Sequence, residues 1–305
     1  MPHAIFGVIG LPLLSALYVR KADIEGLQPH YPAGFRTKHD LALGLCQHVM
    51  QTLRALGSKA GFLVVFDGAY VAKNVVRSLH AAGATIISRL RRNAILFDLP
   101  IKTAGKRGRP RIYGENRIDL RQLASDNQGW ERIDYACRGM IAQAQYKTLL
   151  ATCKITGGPV RVVILKYTSE NWAAFFSTHT AMDVAAILKT VSDRWSIEEF
   201  FHDTKEIWGA GQQQVRNVWS SIGCWNLCGW LYTIVELACW DHTSEPLVDR
   251  SDRPWDNPDR RPSHADRRRR IAREMLQNVF FDDLQIATER DIIRQRLEQL
   301  LAYAA

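Results

Sequence analysis

Several features are scarce or absent in this chain of 305 residues, and each absence narrows what it can be. The six cysteines (Cys46, Cys137, Cys153, Cys224, Cys228 and Cys239) form no Cys-x-x-Cys pair. Cys224 and Cys228 stand four apart in an apolar segment with no histidine or second cysteine pair at zinc spacing nearby, so packed thiols in a reducing cytoplasm are expected rather than metal ligands. The N-terminal apolar run has no basic residues before it and no small-residue cleavage site, which argues against a secretion signal. No long apolar run is free of polar groups. The nearest to one, Ile222 to Trp240, carries Asn226 and Glu236, and a carboxylate in hydrocarbon is costly. That stretch is expected to be a buried helix of a soluble core, with no membrane partner. There is no internal repeat.

Positive charge, by contrast, is in excess. Forty Lys and Arg face 31 Asp and Glu, a formal net charge of +9. A polyanionic partner follows, nucleic acid first and an anionic membrane second; a basic protein without such a partner is the plain alternative. Hydrophobic residues at 47% and charged residues at 23% are ordinary for a globular chain, and the length suits one large or two ordinary domains.

Periodicity sets the order of elements. Ala4 to Ile9 and Leu13 to Val19 are short apolar runs broken by Gly10 and Pro12, expected as two strands or an abrupt hairpin. Lys38 to Leu56 repeats apolar residues at three and four, an amphipathic helix closed by Gly57. GFLVVFDGAY follows, its run apolar on both faces like a central covered strand; then come a helix over Ala69 to Ala82 and a strand over Ala84 to Leu90. Strand, helix, strand with short links predicts a parallel pair with a crossover. After the basic, Gly- and Pro-rich Lys102 to Arg111, the chain alternates in strand fashion, so 93–176 is expected as a mainly β insertion between 1–92 and 177–240. Helical spacing runs from Met182 to Trp240. Residues 241–305 are expected as a basic, irregular linker over Asp241 to Arg270 and an interrupted helix after it.

Two places carry chemistry. Asp67 ends the buried strand, where open α/β sheets put ligand-binding groups, and Gly68 lets a ligand approach the backbone. Capping of the following helix is the competing role. In the segment Asp193 to Lys205, a helix puts Arg194, Glu198 and Lys205 within about 20° of one line. One carboxylate between two cations could hold a metal and the phosphate it activates; solvated ion pairs at helical spacing are the simpler account. His202, four residues after Glu198, shares that face, but a Glu-x-x-x-His without a third ligand is a weak metal signal. Two basic runs remain. GKRGRPR (Gly105 to Arg111) can touch phosphates or lay arginines into a minor groove. Arg267 to Arg270, with Arg260, Arg261 and Arg273, is either an electrostatic contact or a solvated linker.

Arg, three residues, Glu, six residues, Lys resembles the Tyr-Arg-Glu-Lys signature of one large group of DDE transposases of bacterial insertion sequences. Val191 stands where that signature has tyrosine. VVFDGAY, ISRLRRNA, GKRGRPRIYG and RWSIEEFFHDTK resemble the same group, in the same order, over about Ile5 to Trp240. The resemblance implies a ribonuclease-H-like mixed sheet with flanking helices, interrupted by a β insertion, in an α/β protein. It makes Asp67 the second acid and Glu198 the third, both metal ligands in a two-metal Mg²⁺ (or Mn²⁺) site. Glu199 points about 100° away. Arg194 and Lys205, with Lys106, Arg107, Arg109 and Arg111, would bind DNA phosphates. Three converging carboxylates suit hard cations and phosphodiester chemistry.

The family's first acid lies on a strand upstream of a segment resembling VIGLPLLSALYVRKADI, close to Met1. Of the earlier aspartates, Asp23 ends an apolar run and Asp40 opens a helix as its N-cap. The first acid and first strand are therefore expected to be missing, leaving a sheet edge open and an incomplete metal site. A transposase catalytic domain, inactive as this truncated chain, is the leading expectation. It would act on transposon ends and target DNA near the bacterial nucleoid, and a homodimer in a synaptic complex is a possible assembly. A non-catalytic DNA-binding remnant is the first alternative. A structural or RNA-binding basic protein would explain the charge but not the Arg194–Glu198–Lys205 register.

Overall fold

The computed structural model describes residues 9–27, 34–101, 110–138, 140–168, 171–240 and 262–275, with positions 247, 260, 291–293, 295 and 296. The chain divides into two compact units, one of residues 1–10 and 14–198, the other of residues 11–13 and 199–305.

In the first unit, a helical turn, α1 (Ile24–Leu27), precedes α2 (Lys38–Ala55), β1 (Phe62–Phe66), α3 (Lys73–Ala81) and β2 (Ala84–Leu90). Then follow β3 (Leu96–Phe97), β4 (Arg117–Ile118), α4 (Leu120–Ser125), β5 (Glu131–Cys137), β6 (Met140–Cys153), β7 (Gly158–Lys166), β8 (Trp172–Ser177) and α5 (Val184–Asp193). All eight strands join one sheet, in the order β1-β2-β8-β7-β6-β3-β4, with β5 also on β6. Among the described residues, only β1 and β2 run parallel, as their crossover through α3 requires. The strands of 93–176 are thus continuous with β1 and β2.

Strands apolar on both faces explain this sheet. Val160, Val162 and Ile164 of β7 point into one cluster, while Val163 and Leu165 point into another on the opposite face. In β8, Ala174 and Phe176 join the first cluster, Ala173 and Phe175 the second. Met50 of α2, Val75, Val76 and Leu79 of α3 and Leu120 of α4 cover the first face; Val184, Ile187 and Leu188 of α5 cover the second. Phe176 is 1% exposed, so Phe176→Ala should cost about 3–5 kcal/mol in chemical denaturation.

Three local expectations are corrected. Leu13 to Val19 is not a strand: it has no regular structure, and Leu13, Leu14, Leu17 and Tyr18 are exposed. A strand needs a neighbour to satisfy its backbone, and none pairs with this run among the described residues. Ala4 to Val8 lies outside the described residues. Among the described residues, β1 takes the end of the strand order instead of a central position, with Leu63 46% exposed. An apolar run encodes covered faces, not lateral neighbours. The N-cap of α2 is Thr37, which accepts from the Asp40 amide; Asp40 completes a capping box by accepting from the Thr37 amide and hydroxyl. Those bonds hold the Asp40 carboxyl below its ordinary range, the Thr37 hydroxyl contributing most.

In the second unit, α6 (Ser196–Glu206, entering from the first unit at Glu199) is followed by α7 (Val218–Ala238) and α8 (His264–Met275). A buried polar network ties α7 to α8. The Glu236 carboxylate, 1% exposed, takes His264 Nδ1 at 2.7 Å on one oxygen and the Arg267 guanidinium on the other. The Trp208 indole donates to His264 Nε2 at 2.8 Å, which leaves the proton on Nδ1 for Glu236. Tyr232 stacks on the His264 ring at 4.0 Å.

Where described, part of the basic run turns to partners within the unit and is helical instead of an irregular linker. Arg267 holds Glu236, Arg260 holds buried Asp266, Arg270 pairs with Glu274 and Arg268 lies over the Trp208 ring. Helix α8 starts at His264, inside the stretch expected to be irregular. Arg261 lies outside the described residues. Nor is Ile222 to Trp240 buried all round: Cys228, Tyr232, Val235 and Glu236 face inward, but Leu227, Trp230, Ile234 and Leu237 are each more than half exposed.

Burial, aided by Glu236, Asp203 and Glu199, pushes the Tyr232 phenol far above its ordinary value near 10. Below pH 10 the phenol is neutral folded and unfolded, and its contribution to stability is complete. As pH rises beyond 10 the unfolded chain ionises while the folded chain resists, and stability falls. Melting curves between pH 9 and about 11 should show Tyr232→Phe losing less stability than the parent protein.

Candidate active site

The sheet ends in a hollow of about 360 Å³, and its residues come from four places in the first unit. Phe66 closes β1 and is paired in register with Ser88 of β2. The buried Ser88 hydroxyl donates to the Phe66 carbonyl at 2.8 Å, fixing the strand end from which Asp67 leaves. Ser88→Ala should cost about 1 kcal/mol in denaturant unfolding and loosen that end. Asp67 occupies the N-cap position of a 3-10 turn, Gly68–Tyr70, but its side chain makes no capping hydrogen bond. The capping role weighed for it is therefore not the one it plays. Its carboxylate lines the hollow and is exposed.

Arg194 reaches the same hollow from the end of α5. It sits in the turn between α5 and α6 instead of inside one unbroken helix, yet Arg194 itself keeps helical dihedrals. Its amide still bonds the Thr190 carbonyl at 3.4 Å, and the Glu198 amide bonds the Trp195 carbonyl at 2.9 Å. The four-residue spacing consequently survives, and Arg194 Nη2 meets Glu198 Oε1 at 3.0 Å. Such a part-exposed pair is worth under about 1 kcal/mol; what it provides is orientation. Arg194 thus stands at the hollow that holds Asp67 and grips Glu198.

Lys205 is exposed in the last turn of α6, seven residues beyond Glu198. Exposed His202 turns its Nδ1 to Asp203 at 3.1 Å. Arg111 is exposed and paired with Glu115. Lys106, Arg107 and Arg109 lie outside the described residues. Val191 lines the hollow and packs against the cluster of α5.

Sequence reasoning overlooked three polar residues here. Arg89 follows Ser88 on β2, and Tyr167 and Asn171 flank the turn between β7 and β8. Arg89 was findable, because β2 runs parallel to β1 and ends at the same edge, where the strand-end rule points. Tyr167 and Asn171 arrive through antiparallel pairing of β7, β8 and β2, which no local pattern reveals. Burial pushes the Tyr167 phenol up, partly offset by the Arg89 charge. Asn171 is held by Arg92, which also bonds the Trp172 carbonyl at 2.9 Å.

Chemically, the hollow offers an uncommitted carboxylate beside two guanidiniums, with a second carboxylate held by one of them. Oxygen donors of this kind suit a hard divalent cation, and the arginines suit phosphate. Among the described residues, no group of three His, Cys, Asp or Glu stands close enough to hold a metal by itself.

A mixed sheet flanked by helices, with an acid at the end of a parallel strand, defines the class: a ribonuclease-H-like α/β protein. The model of the transposase DDE domain matches residues 38–232, and the chain belongs to that family. No curated protein matches it. The family acts in DNA transposition, has DNA as its partner and is generally dependent on divalent metal ions. Among the described residues, no helix is long and apolar enough to cross a membrane.

Proposed function

We propose that this chain is the catalytic domain of an insertion-sequence transposase of the Tyr-Arg-Glu-Lys group, which cuts DNA at transposon ends and joins the freed 3′ hydroxyl to target DNA. The observation that carries this is the shared hollow: Asp67 lines it together with Arg194, and Arg194 holds Glu198. Arg194, which pairs with one acid, lines the hollow that the other acid lines.

Asp67 and Glu198 would hold Mg²⁺ or Mn²⁺ in a two-metal site. When bound, such ions polarise the phosphate and make water or a 3′ hydroxyl a better nucleophile. Arg194 and Arg89 orient the scissile phosphate by charge-assisted hydrogen bonds, and Lys205 takes a neighbouring phosphate. The segment from Lys106 through Arg107 and Arg109 to Arg111 follows the DNA backbone. Tyr167 supplies a phenol in the hollow that Val191 lines without one. In cleavage, oxygen of water bonds to phosphorus, and the bond to the 3′ oxygen breaks, leaving a 3′ hydroxyl and a 5′ phosphate. In transfer, that hydroxyl replaces water.

The test is Mg²⁺-dependent nicking of transposon-end DNA, with Glu198→Gln as control. Nicking by the parent protein and its loss in Glu198→Gln supports the enzyme reading over the inactivity expected from the sequence; nicking that survives the substitution discards the assignment. The two acids without a third protein ligand among the described residues favour a second reading, a DNA-binding remnant without catalysis. End-DNA binding with no nicking in either Mg²⁺ or Mn²⁺ would select that one.

A further inference from the structure

We propose that Tyr167 is a further catalytic residue, whose phenol donates a hydrogen bond to the scissile phosphate in the hollow where Val191 leaves out the signature tyrosine. The proposal rests on the nuclease reading of that hollow and adds a residue to it from outside the signature. Val163 and Leu165 of β7 pack into the cluster of α5, and Tyr167 continues that alternation one residue past the strand. Val191 belongs to α5 and packs against the same cluster. Phenol and valine therefore line one hollow from two walls, the sheet and the helix that covers it. The turn between β7 and β8 fixes the Tyr167 backbone. Its amide donates to the Asn171 carbonyl at 2.9 Å, and the Asn171 amide donates to the Thr168 hydroxyl at 3.0 Å.

Uncommitted hydrogen-bonding capacity defines the role. Of the neutral polar side chains in the hollow, Ser88 spends its hydroxyl on the Phe66 carbonyl, and Arg92 takes the Asn171 amide oxygen at 3.3 Å. Among the described residues, the Tyr167 hydroxyl has no hydrogen-bond partner, and the residue is exposed. A phenol keeps its proton at neutral pH, so this hydroxyl is a donor. Arg89, whose charge acts on the phenol, and Arg194 bring positive charge to the same hollow. The guanidiniums attract a phosphate. A neutral O–H adds a directed contact without adding a charge for metal ions to oppose. As the oxygen of water bonds to phosphorus, negative charge grows on the nonbridging oxygens, and a donor already in place strengthens its hold. The phenol keeps its proton throughout, and no covalent bond to it forms or breaks.

The experiment compares the full chain with Tyr167→Phe in two assays on transposon-end duplex: nicking in Mg²⁺ or Mn²⁺, and binding with Ca²⁺ in place of the catalytic ion. Tyr167→Phe removes one oxygen that bonds nothing described in the fold, so its melting temperature should match the parent's. Losing one hydrogen bond to a charged acceptor should slow nicking about ten- to hundredfold and weaken binding about tenfold. Tyr167→Phe/Val191→Tyr returns a phenol from the helix wall and should recover most of both losses. Tyr167→Phe/Val191→Phe adds the ring without the hydroxyl and should recover neither. Nicking and binding by Tyr167→Phe equal to the parent's overturn the proposal. Slower nicking at equal binding supports it, with the contact made in the transition state. A folded Tyr167→Phe/Val191→Tyr protein that recovers nothing overturns the exchange of one wall for the other. Should the double variants fail to fold, Tyr167→Phe alone decides. A parent protein that binds but does not nick discards the cleavage reading, and binding then tests the phenol by itself. Tenfold weaker binding by Tyr167→Phe supports it as a phosphate ligand, and equal binding overturns it. A parent that does neither overturns both.

Discussion

Glu236→Ala should destabilise the second unit by roughly 3–5 kcal/mol, the cost of stranding a buried charge. Both carboxylate oxygens are committed, one to His264 and one to Arg267, and the side chain is 2% exposed. Removing it leaves the Arg267 guanidinium, itself only 12% exposed, without its counter-charge. It also leaves the His264 Nδ1 proton without an acceptor, while the indole of Trp208 still occupies Nε2. Glu236→Gln keeps an acceptor for one partner and should lose less. Chemical denaturation followed by circular dichroism measures both. A loss under about 1 kcal/mol for Glu236→Ala would mean the network is not what joins α7 to α8.

Asp67→Asn should reduce Mg²⁺-dependent cleavage by about three orders of magnitude, since a lost metal ligand removes several kcal/mol of transition-state stabilisation. Stability should change by less than about 0.5 kcal/mol, because Asp67 is exposed and caps nothing with its side chain. That separation is the useful part of the experiment. An aspartate serving the fold would lose stability and activity together; one serving the reaction loses activity alone. Isothermal titration with Mn²⁺ gives a second readout, in which the parent protein should release heat of binding and Asp67→Asn should not. Equal Mn²⁺ binding by both would remove Asp67 from the metal site.

Periodicity alone was enough to find α2, β1, β2 and their parallel crossover. Gly57 and Gly83 mark two of the turns, with φ of +85° and +89° that glycine adopts freely. The acid at the end of β1 and the four-residue Arg194–Glu198 step were equally legible, since both depend on local geometry. Local geometry also misled. Leu13 to Val19 has strand-like composition without a partner, and Asp40 reads as a cap until Thr37 is seen to hold the position.

Composition and local spacing, then, determined most of the helices and strands of the sheet, that Asp67 ends β1 and that Arg194 and Glu198 stand one helical step apart, and that the chain carries excess positive charge. Tertiary structure alone decided that Tyr167 and Asn171 share the hollow with Asp67. It also decided that Arg260 and Arg267 turn inward to buried carboxylates. The physical reason is one of range. Backbone dihedrals and side-chain periodicity act over a few residues, whereas strand pairing and burial of charge depend on segments that meet only once the chain has folded.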